Sequence, residues 1–137
     1  MSTQAHYDSA HFLRHHTGKC RNLHGHRYVV EAAVAASELN DAGIAFDFAD
    51  LKRELRDLAD QLDHTCLNDL PQFQGVETSA ENQAKYFFEE LQKRLPPDLV
   101  DGLMYCRIWE SPTQWALYGP SAHLAPGART PGLADGG

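Results

Sequence analysis

Five of the eight histidines fall within sixteen positions: His11, His15, His16, His24 and His26. His24 and His26 are separated by one residue, so in an extended chain both imidazoles point to the same side and can approach one ion. A third donor is needed, and His11 can supply it from a neighbouring strand. Three neutral imidazoles with an open fourth position make a metal site of the catalytic type, because structural zinc sites fill all four places. Three nitrogen donors suit Zn2+ best, and iron, copper or nickel also accept such a set. Cys20 lies four residues before His24, between Lys19 and Arg21. Two flanking cations favour a thiolate, the reactive form of the side chain. Asp63 and His64 are adjacent, as a carboxylate that orients an imidazole for proton transfer would be. Glu110 continues the apolar parity of Met104, Cys106 and Ile108. A carboxylate on an apolar face points to a ligand, since burying it unpaired is costly.

Each feature has a plainer counterpart. A His-x-His pair also occurs as a polar strand end, a cysteine between cations as a surface cysteine, and a histidine after a helix as a partner for the helix C-terminus. His15 and His16 are adjacent and point apart in extended chain, which assigns them to a loop. His6 and His123 fall where the ends are expected to fray. Cys66 and Cys106, within TCL and YCRI, read as small core residues.

The elements that must carry these residues follow from periodicity. HRYVVEAAVAA, from His26 to Ala36, is rich in β-branched and small apolar residues and reads as a strand packed on nearly both sides. Asp41-Ala42-Gly43 turns the chain, Gly43 to Phe46 can return along it, and Asp47 is placed to cap a helix. Leu51, Leu55, Leu58 and Leu62 form the stripe of an amphipathic helix that ends near Asp63. After a loop with Pro71 and Gly75, Thr78 and Glu81 have the spacing of a capping box. They open a second helix with the apolar face Ala84, Phe87, Phe88, Leu91 and Leu95, which Pro96-Pro97 stops. Strands at Leu103 to Glu110 and Gln114 to Tyr118 are joined through Pro112. The order is strand, strand, helix, helix, strand, strand (ββααββ), an α+β domain with an antiparallel four-stranded sheet and both helices on one face. Residues 1–119 read as one domain, and 120–137 as a tail with too little apolar surface to order itself.

Composition bounds the function. A chain of 137 residues with 42% hydrophobic and 23% charged positions makes one domain with a real core. No apolar run approaches the ~20 residues of a membrane span. The first ten residues lack the regions of a secretory signal, so the expected compartment is the cytoplasm, where its three cysteines stay reduced. A net charge of −7 argues against nucleic acid as a partner. A small anion remains open if Lys19, Arg21 and Arg27 converge.

Four segments taken together, Tyr7-Asp8-Ser9-Ala10-His11, Cys20-Arg21-Asn22-Leu23-His24-Gly25-His26, Leu62-Asp63-His64-Thr65-Cys66-Leu67-Asn68 and Trp109-Glu110-Ser111-Pro112-Thr113, closely resemble the 6-pyruvoyl-tetrahydropterin synthase superfamily over roughly residues 5 to 119. The three-residue gap between Cys20 and His24 is similar to the bacterial branch, the 6-carboxy-5,6,7,8-tetrahydropterin synthases of queuosine (7-deazapurine) biosynthesis; the pyruvoyl-forming branch has a longer gap there. The resemblance implies the tunnelling fold, an oligomeric barrel assembled as a homohexamer of two stacked trimers with active sites between subunits. It implies zinc on His11, His24 and His26, Cys20 as general base, Asp63 with His64 as the assisting proton-transfer pair, and Glu110 as the anchor of the pterin's guanidine-like edge. The implied lyase reaction converts a small pterin triphosphate, 7,8-dihydroneopterin triphosphate, to 6-carboxytetrahydropterin, acetaldehyde and triphosphate.

Where the family commonly has Pro-Thr before Glu-Asn, this chain has Thr78-Ser79-Ala80-Glu81-Asn82, so the hydroxyl that borders the pterin could pass to Ser79. The rival activities on the same fold are 6-pyruvoyl-tetrahydropterin synthesis and an aldolase-like reaction on dihydroneopterin. The rival from another class is a noncatalytic metal- or pterin-binding module, which would give Cys20 and His64 no reason to accompany the ligands.

Overall fold

The structure is a computed structural model and describes residues 1–15, 18–36, 38, 43 and 48–128, with only the backbone of Cys20. Its centre is a five-stranded sheet in the order β3-β1-β2-β4-β5, with β1 Ser2–His11, β2 His24–Val34, β3 Thr65–Cys66, β4 Leu103–Ser111 and β5 Gln114–Tyr118. The long pairs are antiparallel and β3 alone runs parallel, beside β1. The expected four strands thus gain a fifth, only two residues long, held at the β1 edge by what precedes it. The helices are α1 Ala49–Leu62, α2 Ala80–Arg94 and α3 Pro97–Gly102. None of them is long and apolar enough to cross a membrane.

One sheet face packs on α1 and α2. Alternation along the strands sends Tyr7, Tyr28, Val30, Ala32, Cys106 and Ile108 into a core with Leu51, Leu55, Leu58 and Leu62 of α1 and Ala84, Phe87 and Leu91 of α2. The leucine stripe of α1 and the buried Cys106 are as the pattern predicts; Cys66 is half-buried on the short β3 rather than in the core. On the opposite face Arg107 is buried against Glu31 at 3.2 Å and lies between the rings of Trp109 and Trp115, 4.9 and 4.8 Å from their centroids.

Several local expectations change. His6 is not in a frayed end, because β1 runs from Ser2 and pairs His6 with Val29. Pro96-Pro97 stops α2 and also opens α3, proline being suited to a first helical turn. Ser79, not Thr78, caps α2: its Oγ accepts from the Asn82 amide at 3.2 Å, while Thr78 is buried and turns its hydroxyl to Phe12 and Asn68. Residues 120–128 do not trail away. They form a turn at Ala122–Leu124, bury Ala125 against Ala33 and Tyr105, and offer the Pro126 carbonyl to Arg107 at 2.8 Å. The return strand after Gly43, the Asp47 cap, His16 and residues 129–137 lie outside the described residues.

Candidate metal centre and its surroundings

The β1–β2 ladder sets His11 directly opposite His24 and Ser9 opposite His26, so the three imidazoles share one face at the end of the hairpin. Their ring centroids are 4.5, 4.9 and 5.6 Å apart, with the rings edge to face. One nitrogen of each lies within 4.8 Å of the others, a spacing that can hold a metal ion.

The far side of two rings is already committed. His11 Nδ1 lies 2.7 Å from the Thr78 carbonyl and His24 Nδ1 2.6 Å from the Asn22 carbonyl. A carbonyl only accepts, so each Nδ1 carries the hydrogen and each Nε2 keeps its lone pair, the usual way a second layer orients metal-binding histidines. His11 Nε2 is buried with no hydrogen-bond partner among the described residues. Burial holds His11 below the ordinary imidazole value of 6.5, His24 and His26 push the same way, and the bond to Thr78 opposes them. His26 is also held low, by burial first, against the attraction of Glu110. Both shifts favour the neutral, ligating form.

Glu110 joins the same face. Trp109 pairs with Trp115 and Ser111 with Gln114, so β4 has one residue more than β5 at this point, and Glu110 is the extra residue of a bulge, a device that re-aims a side chain. It lines a small polar pocket of about 140 Å³ with Glu81, Gln114 and Trp115. Glu81, the first acidic residue of α2, is thus a second carboxylate beside Glu110. The sequence offers it only as a capping residue.

The Asp63-His64 pair lies elsewhere. α1 ends at Asp63, and His64 takes the left-handed conformation (φ +57°) that commonly follows a helix, here without glycine. Asp63 Oδ2 lies 2.8 Å from His64 Nδ1, and Oδ1 accepts the Asp8 amide at 2.8 Å. Asp8 alternates away from the histidine face and makes a two-pronged ion pair with Arg27 at 2.9 and 3.0 Å. Donor atoms of Asp8, Asp63 and His64 lie within 4.8 Å of one another, so in one chain the pair sits across the sheet from the three histidines. Arg27 is on that side too, committed to Asp8. The Asp8 amide and His64 hold Asp63 below the usual carboxylate range, and the Arg27 hydrogen bond does the same for Asp8.

Cys20 lies on a 3-10 turn, Lys19–Arg21, that leads through Asn22 into β2. Ser79 is engaged as the helix cap. Two residues without an assigned role prove central. Asn68 bridges the Phe12 amide and carbonyl, both at 3.0 Å, extending β1 beyond His11. Gln83 is wholly buried behind Thr78. A polar residue one turn from Ala80 and Phe87 on an apolar helix face is the signal that marks it.

Comparison with known proteins agrees with the motifs. The family profile described as 6-pyruvoyl tetrahydropterin synthase matches residues 1–121. A 6-pyruvoyl tetrahydrobiopterin synthase of Dictyostelium discoideum is 34% identical over 103 residues, 74% of this chain and 73% of that one. A 6-carboxy-5,6,7,8-tetrahydropterin synthase of Synechocystis is 36% identical over 118 residues, 82% of this chain and 86% of that one. The solved 6-pyruvoyl tetrahydropterin synthase of Caenorhabditis elegans superposes with a TM-score of 0.78 at 28% identity, covering 87% of this chain and 93% of its own.

Proposed function

The chain belongs to the 6-pyruvoyl tetrahydropterin synthase family, and on that premise we propose that it is a zinc-dependent 6-carboxy-5,6,7,8-tetrahydropterin synthase. Its substrates would be 7,8-dihydroneopterin triphosphate and one water, and its products 6-carboxytetrahydropterin, acetaldehyde and triphosphate, a step toward 7-deazapurines such as queuosine. Relatives bearing either synthase name have similar identity to the chain, so overall likeness does not choose the product. The choice rests on the three residues between Cys20 and His24, the gap of the carboxy-forming branch.

The single observation that carries the metal reading is the buried Nε2 of His11, without a hydrogen-bond partner among the described residues, in a cluster with His24 and His26. The donor set fits zinc: three neutral imidazoles, two of them oriented from behind by carbonyls. Bound there, zinc would act as a Lewis acid on the substrate's side-chain oxygens and make the adjoining C–H more acidic.

The protein's own groups do the rest. Glu110 accepts hydrogen bonds from the pterin's guanidine-like edge and fixes the ring, with the Ser79 hydroxyl at its border. Cys20 takes the side-chain proton as general base. His64, oriented by Asp63, carries protons to and from the side chain. Since that pair lies across the sheet from the histidines in one chain, the complete site takes its Asp63-His64 from a neighbouring copy, as in a homohexamer of two trimers.

Turnover of 7,8-dihydroneopterin triphosphate by zinc-loaded protein is the test. Acetaldehyde and 6-carboxytetrahydropterin formed together are the expected result; a pyruvoyl or hydroxymethyl pterin without acetaldehyde would refute the assignment. Cys20→Ala should keep zinc and lose turnover, which a noncatalytic binding module does not predict.

A further inference from the structure

Burying the Gln83 amide is costly unless both ends find partners, and both do. Its Oε1 accepts from the Tyr7 hydroxyl at 2.6 Å, and its Nε2 donates to the Thr78 carbonyl at 2.9 Å. That carbonyl is the one that receives His11 Nδ1. Because it can only accept, the direction of the whole chain is fixed. The Gln83 amide nitrogen must face Thr78, its oxygen must face Tyr7, and Tyr7 must donate. Burial raises the Tyr7 phenol well above its ordinary value, so it keeps the proton it donates.

The geometry makes a two-point staple between β1 and α2. Tyr7 and His11 lie on the same strand and face, and both are wholly buried or nearly so. The first reaches into α2 at Gln83, the second reaches the residue just before its cap. Tyr7 is itself stacked on Tyr28, its ladder partner, with centroids 5.1 Å apart. Thr78 is tied from the other side by its hydroxyl, 3.2 Å from both Phe12 O and Asn68 Oδ1. With both lone pairs of its carbonyl occupied, Thr78 has one position to hold and His11 one ring orientation to adopt.

We infer that Gln83 and Tyr7 are positioning residues for His11: through the Thr78 carbonyl they preset its Nδ1–H tautomer and aim Nε2 into the three-histidine cluster before any ion arrives. This rests on the metal reading only for what Nε2 is aimed at. Neither residue is one of the three histidines, and their hydrogen-bonded route to His11 runs through one backbone oxygen; Tyr7→Phe keeps the ring that stacks on Tyr28, so it interrupts that route alone.

The test uses the full chain with Tyr7→Phe and Gln83→Leu combined. Removing both partners leaves no orphaned hydroxyl or amide between them, so the double variant is expected to fold where Gln83→Leu alone strands the buried Tyr7 hydroxyl. Two quantities are measured beside thermal stability: the His11 tautomer in metal-free protein, by 15N NMR, and the zinc dissociation constant, by chelator competition. The expected result is a single Nδ1–H tautomer in the unaltered chain, an added Nε2–H population in the double variant, and zinc binding roughly tenfold weaker, the lower end for loss of groups behind a ligand. A double variant with unchanged tautomer and unchanged affinity overturns the inference and leaves Gln83 a packing residue. A tautomer shift in a chain that takes up no zinc upholds the positioning role and sinks the metal reading instead.

Discussion

Asp63 divides its carboxylate between two tasks, holding His64 Nδ1 at 2.8 Å with one oxygen and the backbone amide of Asp8 at 2.8 Å with the other. The second bond ties the pair to β1, the strand that ends in His11. It ties it to the wrong face for His11 to use, because Asp8 and His11 stand on opposite sides of the sheet. In one chain, then, the Asp63-His64 pair and the three histidines stand on opposite sides of the sheet, and the proposed site would draw them from two copies.

Complementation measures this arrangement directly. His24→Ala and His64→Ala should each abolish turnover, the first by losing zinc and the second while keeping it. Dissociated, mixed in equal amounts and reassembled, they should recover roughly a quarter of the unaltered activity, the share of interfaces that pair an intact ligand set with an intact Asp63-His64. A mixture as inactive as its parts would mean that each chain completes its own site.

Glu110→Gln tests the pterin anchor. Replacing a carboxylate acceptor with an amide should weaken substrate binding by about 2 kcal/mol, roughly 30-fold in KM, since charge-assisted hydrogen bonds lie in that range. Zinc content should not change, because Glu110 is not among the ligating nitrogens. A normal KM with reduced zinc would assign Glu110 to the metal centre.

Stability of the metal-free protein should depend on pH through His11 and His26. Both are held below the ordinary 6.5, burial being the main cause for each. The unfolded chain then binds protons that the folded chain refuses, so their contribution is complete above pH 6.5 and is lost as pH falls through the lowered values. The urea midpoint should be lower at about pH 5.5 than at about pH 7.5, and His11→Gln with His26→Gln should flatten the difference. An equally steep profile in that variant would place the dependence on other groups.

Whatever a short periodic signal could carry was legible in the sequence. The Leu51-Leu55-Leu58-Leu62 stripe needs only the helical repeat, and the shared direction of His24 and His26 only the alternation of a strand. What depends on pairing between distant segments was not. Thr65 and Cys66 form a strand solely because Ser9 and Ala10 lie beside them, and two residues have no period to read. The side of the sheet reached by His64 is set by one left-handed residue after a helix, a conformation that a histidine does not announce. Thr78 matches a capping box, yet Ser79 takes the cap because Phe12 and Asn68 claim the Thr78 hydroxyl. Adjacent prolines mark the end of α2 and, equally, the start of α3.

The facing of His11 and His24 across the ladder separates two things that can evolve independently. The spacing of the histidines is measured by paired backbone, so length changes between Phe12, which Asn68 holds, and Asn22, whose carbonyl orients His24, leave the ladder in place. Cys20 belongs to that loop, so on the proposed function an inserted or deleted residue there would re-aim the proposed base relative to the histidines. On that reading, a change of product would follow from a change of loop length.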